Sequence, residues 1–175
     1  NLLGDHQLYN ISTSIISSRK MFDVKGDSIK KGIQKIALKG RLQEIKEGRL
    51  KDIAQDNRLV IDGGHNISAA LSIAKWIGSQ SVEVNIICGM LNDKDHVDFM
   101  KCFEGKIKSA TLVDIPHQEN SIDKKELKKK CANLNINFKT ADSIEQSIKS
   151  YSKYQKSIIL ICGSLYLVGE VLNLN

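Results

Sequence analysis

Between residue 58 and the end of the chain, short runs of apolar residues alternate with helical patterns, and this rhythm restricts the fold more than any other feature. Arg58–Ile61, Val82–Cys88, Ile107–Ile115, Leu134–Phe138 and Ile158–Cys162 read as strands. Ile158–Cys162 is apolar throughout, as a strand covered on both faces requires. Between these runs, residues 66–77 place Ile67, Ala70, Leu71, Ala74 and Ile77 at the 3–4 spacing of one helix face. Helical patterns also cover Asp95–Phe103, Ser121–Cys131, Ser143–Tyr151 and Leu165–Leu172. Strands separated by helices of this length predict an α/β fold: a mostly parallel, Rossmann-like sheet with helices on both faces. Leu42–Ile45 and Leu50–Ile53, separated by Glu47-Gly48, read as two further strands, an antiparallel hairpin or edge addition.

The first 38 residues follow a different pattern. Leu8, Ile11, Ile15 and Phe22 recur at near-helical spacing, as do Ile29, Ile33 and Ile36. Between the two sets lies Asp23-Val24-Lys25-Gly26-Asp27-Ser28, a turn whose Asp27 or Ser28 can cap the second helix. Two helices without a sheet bury little, so residues 1–38 read as the tail of a preceding domain, or as a pair packed on the following one, and 39–175 as an α/β domain. Asn1 stands where a starting Met would be, so the chain is expected to be the back part of a longer one.

Composition removes several functional classes. No apolar stretch approaches the roughly 18–20 residues a membrane span needs, and the N-terminus lacks a signal peptide's basic and apolar regions. The four cysteines have neither C-x-x-C pairing nor zinc-like spacing, and Cys88 and Cys162 sit inside apolar runs. A soluble, cytoplasmic protein without disulfides is expected. The formal charge of +6 would suit a nucleic-acid partner. However, only four of the 26 cationic residues are Arg, and the densest cluster, Lys124–Lys130, has no interleaved aromatics to stack bases. That cluster reads as a solvated helix face, and nucleic acid is disfavoured.

Ligands of open α/β sheets bind beyond the carboxyl ends of the strands. Three segments qualify. Val60-Ile61-Asp62-Gly63-Gly64-His65-Asn66 ends a strand in an acid, turns on two glycines and presents an imidazole at a helix start. Asp62 suits ribose hydroxyls or an ammonium, and His65 a carboxylate or phosphate. Equally, Asp62 can pair a backbone N–H while Asn66 caps the helix. A metal site on Asp62 and His65 lacks further ligands nearby. In Ile161-Cys162-Gly163-Ser164-Leu165-Tyr166, Ser164 can cap its helix or offer a hydroxyl to an anion. A nucleophile elbow is excluded, because the second glycine of G-x-S-x-G is missing. In Cys88–Asp95, Lys94 can neutralise phosphate, and Asp93 or Asp95 can cap the next helix. Neither a G-x-x-x-x-G-K-[ST] loop nor a G-x-G-x-x-G fingerprint occurs, so a phosphate cradle for a nucleotide triphosphate would have to lie on another domain.

Five segments, in order, resemble the folylpolyglutamate synthase and dihydrofolate synthase family, relatives of the Mur ligases. Leu3-Gly4-Asp5-His6-Gln7-Leu8-Tyr9-Asn10 is similar to a G-x-H-Q-x-x-N segment near the end of the family's central ATPase domain. Gly40-Arg41-Leu42 resembles the G-R-[LMF] that opens its C-terminal domain. Asp62-Gly63-Gly64-His65-Asn66 is similar to D-G-A-H-N, Gly89–Asp95 to G-x-x-x-D-K-D, and Gly163–Glu170 to G-S-L-Y-L-x-G-E. The resemblance implies a ligase that uses ATP and Mg²⁺ to join L-glutamate to a folate or dihydropteroate carboxylate through an acyl phosphate. It implies nucleotide contacts from Asn10, Arg41 and Asp62, and glutamate contacts from His65 and Ser164. Lys94 and Asp95 become candidates for phosphate or interdomain contacts. No metal ligand and no certain catalytic residue is expected here, because the Mg²⁺ ligands and phosphate loop belong to the family's N-terminal ATPase domain. The chain alone is therefore expected to be silent. The alternative is a remnant that binds a ligand without catalysis. Gly64 for Ala, Ile67 for Pro and Lys39 before Gly40 depart from the family pattern.

Overall fold

Strand β6 (Ile158–Cys162), the last in sequence, lies in the middle of the sheet between β2 (Arg58–Asp62) and β3 (Val84–Cys88). The computed structural model describes residues 5–35, 38–152 and 156–175. Beyond β3 follow β4 (Ser109–Leu112) and β5 (Phe138–Thr140), all parallel, while β1 (Gln43–Ile45) pairs antiparallel with β2 at the opposite edge. The expected α/β architecture with a single antiparallel edge is therefore present.

Helices cover both faces. On one face α4 (Ile67–Gly78), α5 (His96–Lys101) and α6 (Lys124–Lys130) pack on Val60, Val84, Ile86, Leu160 and Cys162. On the other, α3 (Arg49–Ala54), α7 (Ile144–Tyr151) and α8 (Leu165–Leu174) pack on Leu59, Ile61, Ile87, Ile159 and Ile161. Every residue of β3 and β6 is buried, which explains why β6 reads as a continuous apolar run and β3 as one broken only by Asn85.

Leu50–Ile53, expected as a strand, is helical and forms part of α3. Leu50 and Ala54 are fully buried four residues apart, with Ile53 half-buried beside them, a helical spacing that the short window left ambiguous. Residue 175 completes this helix. Asn175 Oδ1 accepts from Leu50 N at 3.1 Å, its carbonyl accepts from Arg49 N at 3.2 Å, and its Nδ2 donates to Glu47 O at 2.8 Å. Four other boundaries move. β4 stops at Leu112, before Pro116, and the pairing of β5 starts only at Phe138, with Leu134 and Ile136 packed on the core in the preceding turn. α5 runs only from His96 to Lys101. α6 starts at Lys124 because Asp123 caps it, accepting from Lys125 N and Glu126 N.

The N-terminal pair consists of α1 (Asp5–Met21) and α2 (Gly26–Lys35). Leu3, Gly4 and Ile36 lie outside the described residues. Asp27 and Ser28 do not precede α2 but sit within its first turn, where Lys25 O accepts from Ile29 N. α2 has no buried residue. Among the described residues no helix is long and apolar enough to cross a membrane.

Candidate ligand-binding site

The chain leaves β2 for α4 on one face and leaves the neighbouring β6 for α8 on the other. A crevice opens between two such connections, at the carboxyl ends of the strands, and is where open α/β sheets take their ligands. Asp62, Cys162 and Cys88 are register partners across β2, β6 and β3, so the three glycine-containing turns that follow lie side by side. Hydrogen bonds join them: Gly163 N donates to Gly64 O at 3.0 Å, and Gly89 N to Cys162 O at 3.4 Å.

Asp62 is 5% exposed, and both of its oxygens serve the protein. Oδ1 accepts from Gly64 N at 2.7 Å and Oδ2 from Leu42 N at 2.9 Å. Gly63 N donates to Gly40 O at 2.8 Å, so the 40–42 segment is fastened to the end of β2 from two sides. Leu42 takes a left-handed φ of 42°, unusual for a branched residue, and Gln43 Oε1 accepts from Gly40 N at 2.8 Å. This segment carries Arg41 to the crevice. Sequence reasoning missed Gln43 as a support, although a glutamine three residues after a turn glycine is within reach of that glycine's N–H.

Asn10 from α1, Arg41, Asp62 and His65 line one cavity of about 250 Å³, with Ser68 and Ser72 of α4 on its wall. The two serines are also absent from the sequence-based set; their i,i+4 spacing in the first turns of a helix was the available signal. His65, Lys94 and Ser164 line a second cavity of about 190 Å³ with Leu91, Leu165 and Tyr166. His65 is thus shared by both. Its Nδ1 lies 3.1 Å from Gly63 O, which makes Nδ1 the N–H in the neutral ring and leaves Nε2 as the acceptor.

Ser164 is buried and caps α8, accepting from Tyr166 N at 3.1 Å. Lys94 pairs with Asp93 at 2.8 Å, and that ammonium holds the Asp93 carboxyl below the usual carboxylate range. Asp95 stands apart. It occupies the N-cap position of α5, its carboxylate caps nothing, and it lines neither cavity. Asn66 caps α4, accepting from Ala69 N at 2.9 Å. Asn66→Ala should cost about 1 kcal/mol in urea unfolding.

Gly64, where the resembling family has Ala, has no room for one. A Cβ there would lie 2.8 Å from Ala69 Cβ and 2.9 Å from Asp62 Oδ1. Beneath the turns, Cys88 and Cys162 face each other as free thiols. The hydrogen bond between them, together with burial, pushes the Cys162 thiol well up. Burial alone dominates at Cys131, pushed up to about 11. Such thiols are inert core residues. Among the described residues no group of three or more His, Cys, Asp or Glu side chains is arranged to hold a metal ion.

These features define a doubly wound α/β domain with two adjoining cavities, sharing His65, at its topological switch point. The model of the dihydrofolate synthetase C-terminal domain matches residues 48–174, and the chain belongs to that family. It is 25% identical over 187 residues to the "Probable dihydrofolate synthetase" of Schizosaccharomyces pombe, covering 97% of this chain and 43% of that protein. It is 26% identical over 181 residues to the dihydrofolate synthase/folylpolyglutamate synthase of Buchnera aphidicola, covering 96% and 41%. The Mycobacterium tuberculosis folylpolyglutamate synthase, solved with ADP and AMPPCP, shares the fold at a TM-score of 0.82 and 18% identity, covering 99% of this chain and 40% of that one. The Escherichia coli FolC structure with DHPP and ADP does so at 0.77 and 22%, covering 94% and 38%. The chain therefore spans about two fifths of the length of the relatives it matches.

Proposed function

We propose that this chain is the carboxyl-terminal part of an ATP-dependent ligase that joins L-glutamate to a folate or dihydropteroate carboxylate. In this reading residues 39–175 form the glutamate-ligase domain and residues 1–38 end the ATPase domain. The observation that carries it is the shared imidazole. His65 stands between a chamber with Arg41, Asp62 and Asn10 and a chamber with Ser164 and Lys94, within a dihydrofolate synthetase C-terminal domain.

The first chamber fits one end of a nucleotide, with a guanidinium for phosphate and polar groups for a sugar. ATP supplies the phosphoryl group that activates the acceptor carboxylate. Arg41 is the cation this chain brings to that end, and Asp62 fixes the segment that carries it. In the second chamber Lys94 and the Ser164 hydroxyl suit a carboxylate. His65 Nε2, turned away from the Gly63 carbonyl, suits an ammonium, from which it could take a proton to free the amine. The Mg²⁺ ligands are assigned to the ATPase domain on the family resemblance.

Two measurements test this reading. The 175-residue chain alone should show no ligase turnover, because stabilisation of the transferring phosphoryl group supplies most of the acceleration and its cradle is absent from this sequence. In the enzyme joined to its ATPase domain, Ser164→Ala should raise the glutamate KM roughly tenfold while leaving the ATP KM within about twofold. Equal effects on both substrates would remove Ser164 from the glutamate site.

A further inference from the structure

The opposite rim of the sheet, at the amino ends of the strands, holds a polar cavity that the proposed ligase function does not use. On the face packed by α7, β2 and β6 present Leu59 and Ile159. Asn85, the register partner of Ile159 on β3, then breaks the apolar row, and Ser109 partners Asn85 on β4. The polar side chains continue as a buried chain. Asn57 Oδ1 accepts from Ser157 Oγ at 2.8 Å, and Ser109 Oγ donates to Asn85 Oδ1 at 2.9 Å. Tyr151 Oη bridges Ser109 Oγ at 3.1 Å and Thr111 Oγ1 at 2.7 Å. Asn85, Ser109, Tyr151 and Ser157 are each at most 5% exposed.

One group in this chain is under-satisfied. The Asn85 amide has two N–H donors, yet among the described residues it makes only a 3.5 Å contact, to Ser157 Oγ. A buried donor in that state costs stability unless something else accepts from it. Asn85 lines a cavity of about 150 Å³, far more than one water needs. Lys108 and Lys139 stand at its mouth. Lys108 pairs with Glu83 at 2.5 Å, while Lys139 has no ion pair among the described residues. The carboxyl end of α7 contributes roughly half a negative charge there. Two ammonium groups against one carboxylate and that half charge leave the mouth cationic.

The geometry points to a binding site for a small oxyanion, a phosphate or carboxylate group that accepts from the Asn85 amide and is neutralised by Lys139 and Lys108. In the isotope-labelled 175-residue chain, inorganic phosphate or acetate at constant ionic strength should shift the Asn85 side-chain amide resonance saturably, and chloride should not. The stronger of the two identifies the group as phosphoryl or carboxylate. Lys139→Gln, an exposed change that leaves the fold intact, should weaken binding roughly tenfold. Asn85→Leu should abolish it, read at the Ser109 backbone amide. His65→Ala, on the other rim, should leave it unchanged. If neither anion gives a saturable shift, the cavity holds water alone. If His65→Ala weakens the response as much as Lys139→Gln does, the anion acts from the opposite rim. Either result overturns the assignment.

Discussion

Gly163→Ala should lower the urea midpoint of the chain by roughly 1–2 M. Gly163 has a φ of 107°, where an L side chain is strained. Its Cβ would also meet Gly89 O at 2.7 Å, Cys88 Sγ at 2.8 Å and Met90 Cγ at 3.0 Å. The carbonyl cannot retreat without breaking the contact between the β3 and β6 turns, and Cys88 Sγ is held by the buried core. Backbone strain and overpacking together come to about 2–5 kcal/mol, against a total stability of about 5–15 kcal/mol for a domain. Gly78→Ala, at the end of α4 with open space around it, is the control and should change the midpoint little. A Gly163→Ala chain as stable as the unaltered one would mean that the turn is not built as described.

Asp62→Asn should cost almost as much as Asp62→Ala, against the usual expectation for an isosteric change. The carboxylate accepts from two backbone donors, one on each oxygen, and an amide offers one oxygen and one NH₂. Whichever way Asn turns, one buried N–H faces another donor. The loss is roughly 1–3 kcal/mol for each N–H left without an acceptor. Hydrogen exchange should locate it, with the Leu42 and Gly64 amides exchanging much faster while β3 and β4 keep their protection. On the ligase function proposed above, loosening of the 40–42 segment would free Arg41 and weaken nucleotide binding, even though the guanidinium itself is untouched. Protection of Leu42 unchanged in Asp62→Asn would refute the clamp.

The sheet and most of its helices were legible because strands buried on both faces cannot hide: β6 is an uninterrupted apolar run and β3 is apolar at every position but Asn85, as a parallel, doubly covered sheet requires. α3 was not legible, since six residues span less than two helical turns and its stability comes from Leu50, Ala54 and the distant Asn175. The turns at Asp62 and Ser164 could be picked out by residue type. Their adjacency could not, because it depends on β6 entering between β2 and β3. At Asp62, Ser164 and Asn66 the plainer structural alternatives are realised, as backbone partner and helix caps, and the same side chains line the chambers. Asn85 escaped notice because a lone Asn in an apolar strand has no local signature. Its partners arrive from β4 and the segment before β6, and α7 joins only through Ser109.

The order in which the strands are joined has a cost during synthesis. As the chain emerges, β2 and β3 exist long before the strand that must bridge them, so each offers an open row of backbone donors and acceptors to any neighbour. Pairing across so many residues is slow, because loop closure precedes its reward. A nascent molecule halted before residue 158 would therefore be two half-sheets with sticky inner margins, a substrate for chaperones and a seed for aggregates. Its ligand rim would not yet exist.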